Sequence, residues 1–335
     1  MQRCLQLARL GKSTVSPNPM VGCVVVHNNK IIGEGWHYKA GQAHAEVNAL
    51  NAVKNQDLLK ESILYVSLEP CSHFGKTPPC ANLIVQKRIP HVVVACRDVN
   101  SAVNGQGIAL LKANDINVTE GVLEKEAEAL NKKFFTYHAK KRPFILLKWA
   151  QSLDGFLDKS RKPGEKGINW ITQPPTRTYV HQLRSQFDAI LVGAQTAVND
   201  NPSLTITEVK PKKLLRLIID PQLRVPSHSK VFKTDDYLVF SQKASQRKNV
   251  VTLHGKNFTV NNILSHCYKL GVQSILVEGG AHTLQSFIEA QLWDEALVLI
   301  GQNTFGQGLP APKLAQNPTS KNAIAGDTIL NYQRL

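Results

Sequence analysis

The sequence lacks any apolar run of about 18 residues, the length that a membrane-spanning helix requires. Cysteine is scarce, with 6 in 335 residues, which excludes the dense disulfide framework of a small secreted domain and favours reduced thiols. The N-terminal stretch is too short and too interrupted by charge for a secretory signal. These absences predict a cytoplasmic protein without a membrane segment.

Long blocks of like charge are also missing, although the formal net charge is +15. Such an excess favours anionic partners. Because no basic-aromatic array accompanies it, phosphorylated small molecules fit at least as well as a polynucleotide. A solvated basic surface without a specific role is the alternative.

A length of 335 residues favours two domains. Strand-like and helix-like segments alternate in both halves, which is typical of layered α/β domains. Asn28-Asn29 between two apolar runs predicts a hairpin, and residues 124–137 read as one amphipathic helix. A basic stretch ends at Pro143 and a new strand follows, so we place the boundary near residue 142, with domains 1–142 and 143–335.

A metal-binding pattern lies in the first half. His44 opens a predicted helix, and Cys71 and Cys80 follow a predicted strand. One imidazole and two thiolates leave the fourth position of a tetrahedral zinc ion open to water, as in catalytic sites. Glu46, two residues after His44, can move protons during hydrolysis of a ring amine. The pattern predicts one zinc ion per chain and a deaminase.

Each part of this pattern is weak alone. His44-Ala45-Glu46 could simply begin a helix, and two cysteines could be buried apolar residues. The order His-x-Glu, strand, Glu-Pro-Cys disfavours these readings. Eight residues separate Cys71 from Cys80, whereas the usual pattern is Cys-x-x-Cys.

That longer loop makes the pattern specific. The stretch from Leu68 to Cys80 reads LEPCSHFGKTPPC, and it accompanies Pro17-Asn18-Pro19 and GEGWH at 33–37. Together these motifs closely resemble the bacterial bifunctional riboflavin-biosynthesis enzymes, which join a diaminohydroxyphosphoribosylaminopyrimidine deaminase to a 5-amino-6-(5-phosphoribosylamino)uracil reductase. The resemblance spans nearly the whole chain.

The resemblance implies a cytidine-deaminase-like three-layer domain followed by a dihydrofolate-reductase-like domain. It implies that His44, Cys71 and Cys80 hold zinc and that Glu46 is the proton carrier. It also implies a set of contacts to the pyrimidine or its ribose phosphate: Asn18, His37, His73 and Lys76. On local grounds, Asn18 could be only a turn residue and His37 only a polar residue at a strand end.

In the second half, Gly279-Gly280 follows an apolar run and precedes a predicted helix. Glycines permit close backbone approach, and free amides at a helix start suit phosphate. The full Gly-x-Gly-x-x-Gly pattern is missing, which argues against a Rossmann domain and leaves a plain tight turn as the alternative.

The same resemblance places NADPH and substrate in this half. It implies NADPH contacts at Ala150, Trp170, Thr196, Asp200, Gly280, Ala281, His282, Thr283, Leu284, Gln285 and Ser286. It implies substrate contacts at Ile168, Arg184, Leu204, Thr207 and Glu278, with Lys148 as a further candidate.

Two of these substrate residues have a physical rationale, and two positions depart from the family. Arg184 can grip a phosphate in bidentate fashion, and Glu278 can accept hydrogen bonds from sugar hydroxyls or an aminopyrimidine. Thr207 stands where an arginine is expected, and Pro221 where a serine often stands. Compared with the family pattern, Thr207 lacks the positive charge of the arginine, and Pro221 lacks the side-chain hydrogen-bond donor of the serine.

We therefore expect two consecutive steps on one chain. Zinc-dependent deamination of a phosphoribosylaminopyrimidine comes first, and NADPH-dependent reduction of its ribosyl group to ribityl follows. We expect phosphorylated aminopyrimidine substrates, no nucleic-acid or membrane partner, and a homo-oligomer. The rival hypotheses are a tRNA or cytidine deaminase with an appended domain, and a non-catalytic zinc module.

Overall fold

The computed structural model describes residues 1–72, 79–100, 104–162, 164–206 and 214–334. The chain forms two units, Met1–Lys141 and Arg142–Leu335, called here the N-terminal and C-terminal units and described separately. Both combine helices with strands, as the sequence predicts. No helix within these described ranges is long and apolar enough to cross a membrane.

A five-stranded sheet organises the N-terminal unit. Its strands are β1 (Gly22–His27), β2 (Lys30–Trp36), β3 (Ile63–Val66), β4 (His91–Val94) and β5 (Asn117–Glu120), in the order β2-β1-β3-β4-β5. β1 is antiparallel to both neighbours, whereas β3, β4 and β5 are parallel. The predicted hairpin is confirmed, with positive φ at Asn28 and Asn29.

Helices cover both faces of this sheet. They are α1 (Gln2–Arg9), α2 (Ala45–Ala52), α3 (Cys80–Gln86), α4 (Gln106–Ala113), α5 (Glu124–Leu130) and α6 (Lys132–Lys140). The helices α2, α3 and α4 pack on one face through Leu50, Ile84 and Leu111. On the other face, α1 and α5 contribute Leu5 and Ala127. The unit is therefore the three-layer arrangement that the sequence predicts.

The structure corrects one predicted helix and adds two elements. Residues 124–137 do not form one helix, because the chain breaks between α5 and α6 at Asn131. The Asn131 side chain accepts a hydrogen bond from Met20 N and donates one to Met20 O, both 2.8 Å long. The buried Asn131 side chain thus binds the segment before β1, and the helix is interrupted at this residue. The sequence reasoning did not identify α4 or β5.

The C-terminal unit contains a nine-stranded sheet. Its strands are β6 (Phe144–Gln151), β8 (Ala189–Gly193), β9 (Leu215–Ile219), β10 (Tyr237–Ser241), β11 (Val250–Thr252), β12 (Ser274–Val277), β13 (Glu295–Ile300), β15 (Ser320–Ile324) and β16 (Asp327–Gln333). The order is β11-β10-β9-β8-β12-β6-β13-β16-β15. β16 is antiparallel to both β13 and β15, and the other neighbouring strands of this sheet are parallel. Two further strands, β7 (Phe156–Lys159) and β14 (Gly308–Pro310), pair separately.

The described part of this unit also contains four α-helices: α7 (Pro174–Arg184), α8 (Ala194–Asp200), α9 (Val260–Lys269) and α10 (Ala281–Glu289). The helices α9 and α10 pack on one face of the sheet through residues such as Leu264 and Phe287. On the opposite face, α7 packs through Val180 and α8 through Ala197. Because the central strands are parallel, their carboxyl ends meet at one edge, where ligands bind in such sheets.

A buried ion pair fastens the start of the C-terminal unit to its sheet. Arg142 forms two hydrogen bonds with Asp294, from Nη1 to Oδ2 and from Nη2 to Oδ1, each 2.7 Å long. Asp294 Oδ2 also accepts the amide of Ile145 at 2.9 Å. Both charged residues are 9% exposed, so each needs the other to offset its lost hydration.

Replacing Asp294→Ala leaves Arg142 buried without its counter-charge. We expect the free energy of unfolding of the C-terminal unit to fall by about 3–5 kcal/mol. Denaturant titration followed by tryptophan fluorescence reports mainly on this unit, since three of the four tryptophans (Trp149, Trp170 and Trp293) lie within it and only Trp36 lies in the other. Asp235→Ala is the control, because its pair with Lys248 is exposed and should contribute almost nothing. Equal effects of the two substitutions would contradict the assignment.

Candidate functional site

A cluster of three metal-ligand residues lies in the N-terminal unit. His44 is the residue before α2, Cys71 follows β3, and Cys80 is the first residue of α3. One ligand atom from each lies within 4.8 Å of the others. His44 Nδ1 is 3.5 Å from Cys71 Sγ and 3.4 Å from Cys80 Sγ. These separations suit three vertices of a tetrahedron around zinc, whose bonds are about 2.0 Å to nitrogen and 2.3 Å to sulfur.

The two thiols of the cluster interact and have opposite pKa shifts. The hydrogen bond with Cys71, together with burial, raises the pKa of Cys80. Hydrogen bonds from Cys80 and from His44 lower the pKa of Cys71 to about 4, against the effect of burial. The backbone amide of Cys80 donates a further hydrogen bond to Cys71 Sγ at 3.3 Å. A thiolate is the form of cysteine that binds metals, so the lowered pKa of Cys71 suits a metal ligand.

Glu46 lies in the first turn of α2, next to this cluster. Its residue exposure is 3%, and burial raises the pKa of its carboxyl to about 7. It comes close enough to Cys80 for a side-chain hydrogen bond. A carboxyl with a pKa near neutrality can both accept and release a proton at physiological pH. The position and environment of Glu46 therefore suit a proton carrier.

The structure also brings Asn18 and His37 to this site. Asn18 Nδ2 is 3.0 Å from His37 Nε2, and His37 Nδ1 is 3.1 Å from Ala43 O. The Ala43 carbonyl can only accept a hydrogen bond, so His37 Nδ1 must carry the proton. In the neutral ring Nε2 then has no proton and accepts a hydrogen bond from Asn18 Nδ2. Burial lowers the pKa of His37, which favours this neutral form. The His37 and His44 ring centroids are 5.4 Å apart.

Two predicted contacts of the first half, His73 and Lys76, lie outside the described residues. The same is true of Thr207 in the second half. Their assignments stay predictions.

The C-terminal unit contains a cavity of about 1150 Å³ at the carboxyl edge of its parallel strands. Most of the residues predicted for NADPH and substrate line it. They are Lys148, Ala150, Ile168, Trp170, Arg184, Thr196, Asp200, Leu204, Glu278, Gly280, Ala281, His282, Thr283, Leu284 and Ser286. Gln285 is not among the lining residues, and its side chain donates to Glu289 one turn further along α10. Pro221 lines the cavity as well.

A buried charge cluster of Lys148, Arg184 and Glu278 lies in the wall of this cavity. Arg184 Nε and Nη2 each donate to one Glu278 oxygen at 2.7 Å, and Lys148 Nζ is 3.9 Å from Glu278 Oε2. Burial alone would raise the pKa of Glu278, but the charges of Arg184 and Lys148 outweigh it and lower that pKa to about 2. Burial lowers the pKa of Lys148.

This geometry differs from the expected role of Arg184. The two-pronged face of its guanidinium is occupied by Glu278, and its Nη1 lies 3.5 Å from Thr205 O. A carboxylate whose side chain is only 7% exposed needs such a partner. Sequence reasoning did not identify this pair, because its members are 94 residues apart.

The glycine turn packs closely against the neighbouring elements. Gly279 has a φ of +120°, which residues with side chains rarely adopt. A Cβ on Gly193 would lie 2.4 Å from Thr283 Oγ1, so the first turn of α10 lies directly against the end of β8. The start of α10 thus faces the cavity, in accord with the predicted phosphate-binding role.

Three lining arginines were not identified from the sequence: Arg161, Arg177 and Arg224. Arg177 stacks on Trp170 with its guanidinium carbon 4.4 Å from the ring centroid. Arg161 binds Asp158 and also Asp200, at 3.2 Å in the second case. Burial raises the pKa of Asp200 to about 6, while Arg161 opposes that rise. Arg177 precedes Arg184 by seven residues, so both lie on the same face of α7. This spacing could have indicated from the sequence that Arg177 also faces the cavity.

Comparison with known proteins gives matches along both units. The family described as RibD C-terminal domain matches residues 143–326, and the cytidine and deoxycytidylate deaminase zinc-binding region matches residues 1–96. Riboflavin biosynthesis protein RibD of Aquifex aeolicus is 41% identical over 318 residues, covering 92% of this chain and 88% of that protein.

Two solved structures match over both units. A diaminohydroxyphosphoribosylaminopyrimidine deaminase/5-amino-6-(5-phosphoribosylamino)uracil reductase from Thermotoga maritima gives a TM-score of 0.88 at 33% identity, covering 100% of this chain and 97% of that one. RibD from Acinetobacter baumannii gives a TM-score of 0.87 at 30% identity, covering 98% and 96%.

The cluster predicts one zinc ion that depends on each of its three ligands. Cys71→Ser should reduce retained zinc from about one equivalent to well below that value, measured by elemental analysis after dialysis. Cys96→Ser is a matched control, because Cys96 is a buried thiol of the same unit outside the cluster. Full zinc retention by the Cys71 variant would contradict the ligand assignment.

Proposed function

The chain belongs to the RibD family of riboflavin biosynthesis proteins and is a bifunctional deaminase and reductase, and we propose that its N-terminal unit deaminates and its C-terminal unit reduces. The observation that carries the division is the position of Glu46 beside the metal-ligand cluster in one unit, with the large cavity in the other. A tRNA or cytidine deaminase with an unrelated appended domain would leave the match over residues 143–326 unexplained.

In the N-terminal unit, His44, Cys71 and Cys80 would hold zinc. Zinc with this ligand set lowers the pKa of water at its open position towards neutrality. Glu46 takes a proton from the attacking water and delivers it to a ring nitrogen of the pyrimidine. It then assists the departure of the amine, so that the carbon–nitrogen bond breaks, ammonia leaves and the water oxygen becomes the ring carbonyl.

The substrate we propose for this step is a phosphoribosylaminopyrimidine. The partly buried pair of Asn18 and His37 supports this, because the hydrogen bond to His37 holds the polar Asn18 amide beside the metal-ligand cluster. His73 and Lys76 would contact the ring or its ribose phosphate. The excess of positive charge along the chain suits the phosphorylated substrate.

Glu46→Gln removes proton transfer while leaving every metal ligand in place. We expect ammonia release to fall by about 10²–10⁴-fold, since this is the usual contribution of general acid–base catalysis. Zinc content should remain at one equivalent. Reductase activity on deaminated substrate provides the internal control, because the cavity lies in the other unit. Loss of zinc from this variant, or wild-type ammonia release, would show that the role is misassigned.

In the C-terminal unit, we propose that the cavity binds NADPH beside the ribosyl group of the deaminated intermediate. NADPH supplies the hydride for this reduction. The glycine turn and the first turn of α10 suit its phosphates, and Ala150, Trp170, Thr196 and Asp200 would contact the rest of the cofactor. The product is 5-amino-6-(5-phosphoribitylamino)uracil.

The buried cluster of Lys148, Arg184 and Glu278 would bind and orient this intermediate. Glu278 offers carboxylate oxygens to sugar hydroxyls or to the amino group of the ring. Arg184 and Lys148 keep it ionised and add positive charge toward the substrate phosphate. Ile168, Leu204 and Thr207 are the remaining proposed contacts. Cytoplasmic localisation and a homo-oligomeric state remain predictions from the sequence.

Arg184→Ala should weaken binding of the intermediate more than binding of NADPH. The substitution removes the charge-assisted hydrogen bonds that hold Glu278, the proposed substrate contact, and this predicts roughly a tenfold or greater rise in the Kd of the intermediate. The Kd of NADPH should change by less than about twofold. Isothermal titration with each ligand measures both values. Arg247→Ala, an exposed arginine that does not line the cavity, serves as control. Equal weakening of both ligands would contradict the assignment.

A further inference from the structure

We propose that Glu69 is a positioning residue of the deaminase site, which holds the Cys71 thiolate in place for zinc. Glu69 lies between the end of β3 and Cys71 and is only 4% exposed. It touches no ligand atom of the metal cluster among the described contacts, so its effect is exerted through the backbone. This inference rests on the proposed zinc site.

The Glu69 carboxylate accepts hydrogen bonds from four backbone amides. Oε1 accepts from Gly107 N at 3.0 Å and Ile108 N at 3.3 Å. Oε2 accepts from Gly105 N at 3.0 Å and Asp98 N at 3.2 Å. An ionised carboxylate only accepts hydrogen bonds, so it matches four donors without a conflicting proton.

These four bonds connect three segments of the chain. Asp98 lies in the segment that follows β4, while Gly105, Gly107 and Ile108 belong to the start of α4. The backbone amide of Glu69 itself donates to Cys96 O at 3.0 Å. Both the main chain and the side chain of Glu69 are therefore fixed, two residues before a zinc ligand.

The contact between Glu69 and α4 also affects the position of Cys80, through the packing of α4 against α3. Leu111 of α4 belongs to the same apolar core as Ala81 and Ile84 of α3, and Cys80 is the first residue of α3. A shift of α4 would consequently disturb the helix that carries Cys80. Glu69 thus restrains Cys71 directly along the chain and Cys80 through the packing of two helices.

An independent observation at Gly107 shows how closely these segments fit. A Cβ at this position would lie 1.9 Å from Pro70 O and 3.3 Å from Glu69 Oε1. Only glycine lets the first turn of α4 lie against the peptide that joins Glu69 to Cys71. Gly107 and the Glu69 carboxylate therefore both contribute to the close contact between the first turn of α4 and the segment that precedes Cys71.

A zinc site tolerates little displacement, since its bond lengths vary by only about 0.2 Å. Outer partners that orient metal ligands typically contribute 10–100-fold to metal affinity or activity. In Glu69→Gln, one oxygen becomes an NH₂ group, which would face backbone donors instead of accepting from them. The geometry of the thiolates should then change although every ligand remains.

Glu69→Gln tests the proposal in the full-length chain. We expect zinc affinity to fall by about 10–100-fold in competition with a chelator. After replacement of zinc by Co²⁺, the thiolate-to-cobalt absorption should shift or weaken, and kcat for ammonia release should fall. Reductase activity on deaminated substrate should remain at the wild-type level, which reports the folding of the other unit.

Two further variants make the result decisive. Gly107→Ala leaves Glu69 intact but pushes α4 away from Pro70, and it should lower zinc affinity in the same direction. Glu34→Gln is the matched control, because this carboxylate of the same unit accepts two hydrogen bonds from Arg3 of α1 and contacts neither α4 nor the segment after β4 among the described contacts. It should retain wild-type zinc affinity and cobalt absorption. If Glu69→Gln does not yield folded protein, the zinc affinity of Gly107→Ala tests the proposal instead.

Wild-type zinc affinity and cobalt absorption in the Glu69 variant would overturn the proposal, even if that variant were less stable to heat. Such a result would mean that Glu69 only stabilises the fold. It would leave the proposed zinc site untouched, provided that Cys71→Ser still loses zinc. Retention of zinc by Cys71→Ser would instead contradict the site itself, so the two failures are distinguishable.

Discussion

The need to satisfy buried carboxylates is the constraint on which both units depend. Asp294 and Glu278 are each held by an arginine, and Glu69 is held by four backbone amides. These three remain in fixed networks that join distant segments of the chain. Among the described contacts Glu46 accepts no hydrogen bond from an arginine or from an array of amides, and burial raises its pKa to about 7. Burying a carboxylate is costly in free energy. At Asp294, Glu278 and Glu69 this cost is offset by hydrogen bonds that hold the fold together, whereas at Glu46 it raises the pKa and so supports proton transfer.

The cluster of candidate metal ligands could be predicted from sequence because metal binding demands particular residue types in a particular order. His44, Cys71 and Cys80 follow a pattern in which each side chain has few substitutes. The parallel core strands could also be predicted, since continuous apolar runs such as Ala189–Gly193 are typical of strands buried on both faces. The elements that follow from local chemistry are therefore the ones that sequence reasoning recovers.

Features that depend on distant contacts could not be predicted in this way. The helix break at Asn131 has no glycine or proline signal, and its cause is the backbone of Met20, more than a hundred residues earlier. The pairing of Arg184 with Glu278 likewise depends on the fold of the whole unit. Gly107 looks like an ordinary residue in the sequence, and only its approach to Pro70 explains why glycine is needed there.

The central claim is that two activities act in a fixed order on one chain. Incubating the protein with the phosphoribosylaminopyrimidine, with and without NADPH, while following ammonia and NADPH absorbance together, tests this most directly. The account predicts ammonia release at the same initial rate in both reactions, with NADPH oxidation beginning only as deaminated intermediate accumulates. NADPH oxidation that precedes ammonia release, or ammonia release that requires NADPH, would contradict it.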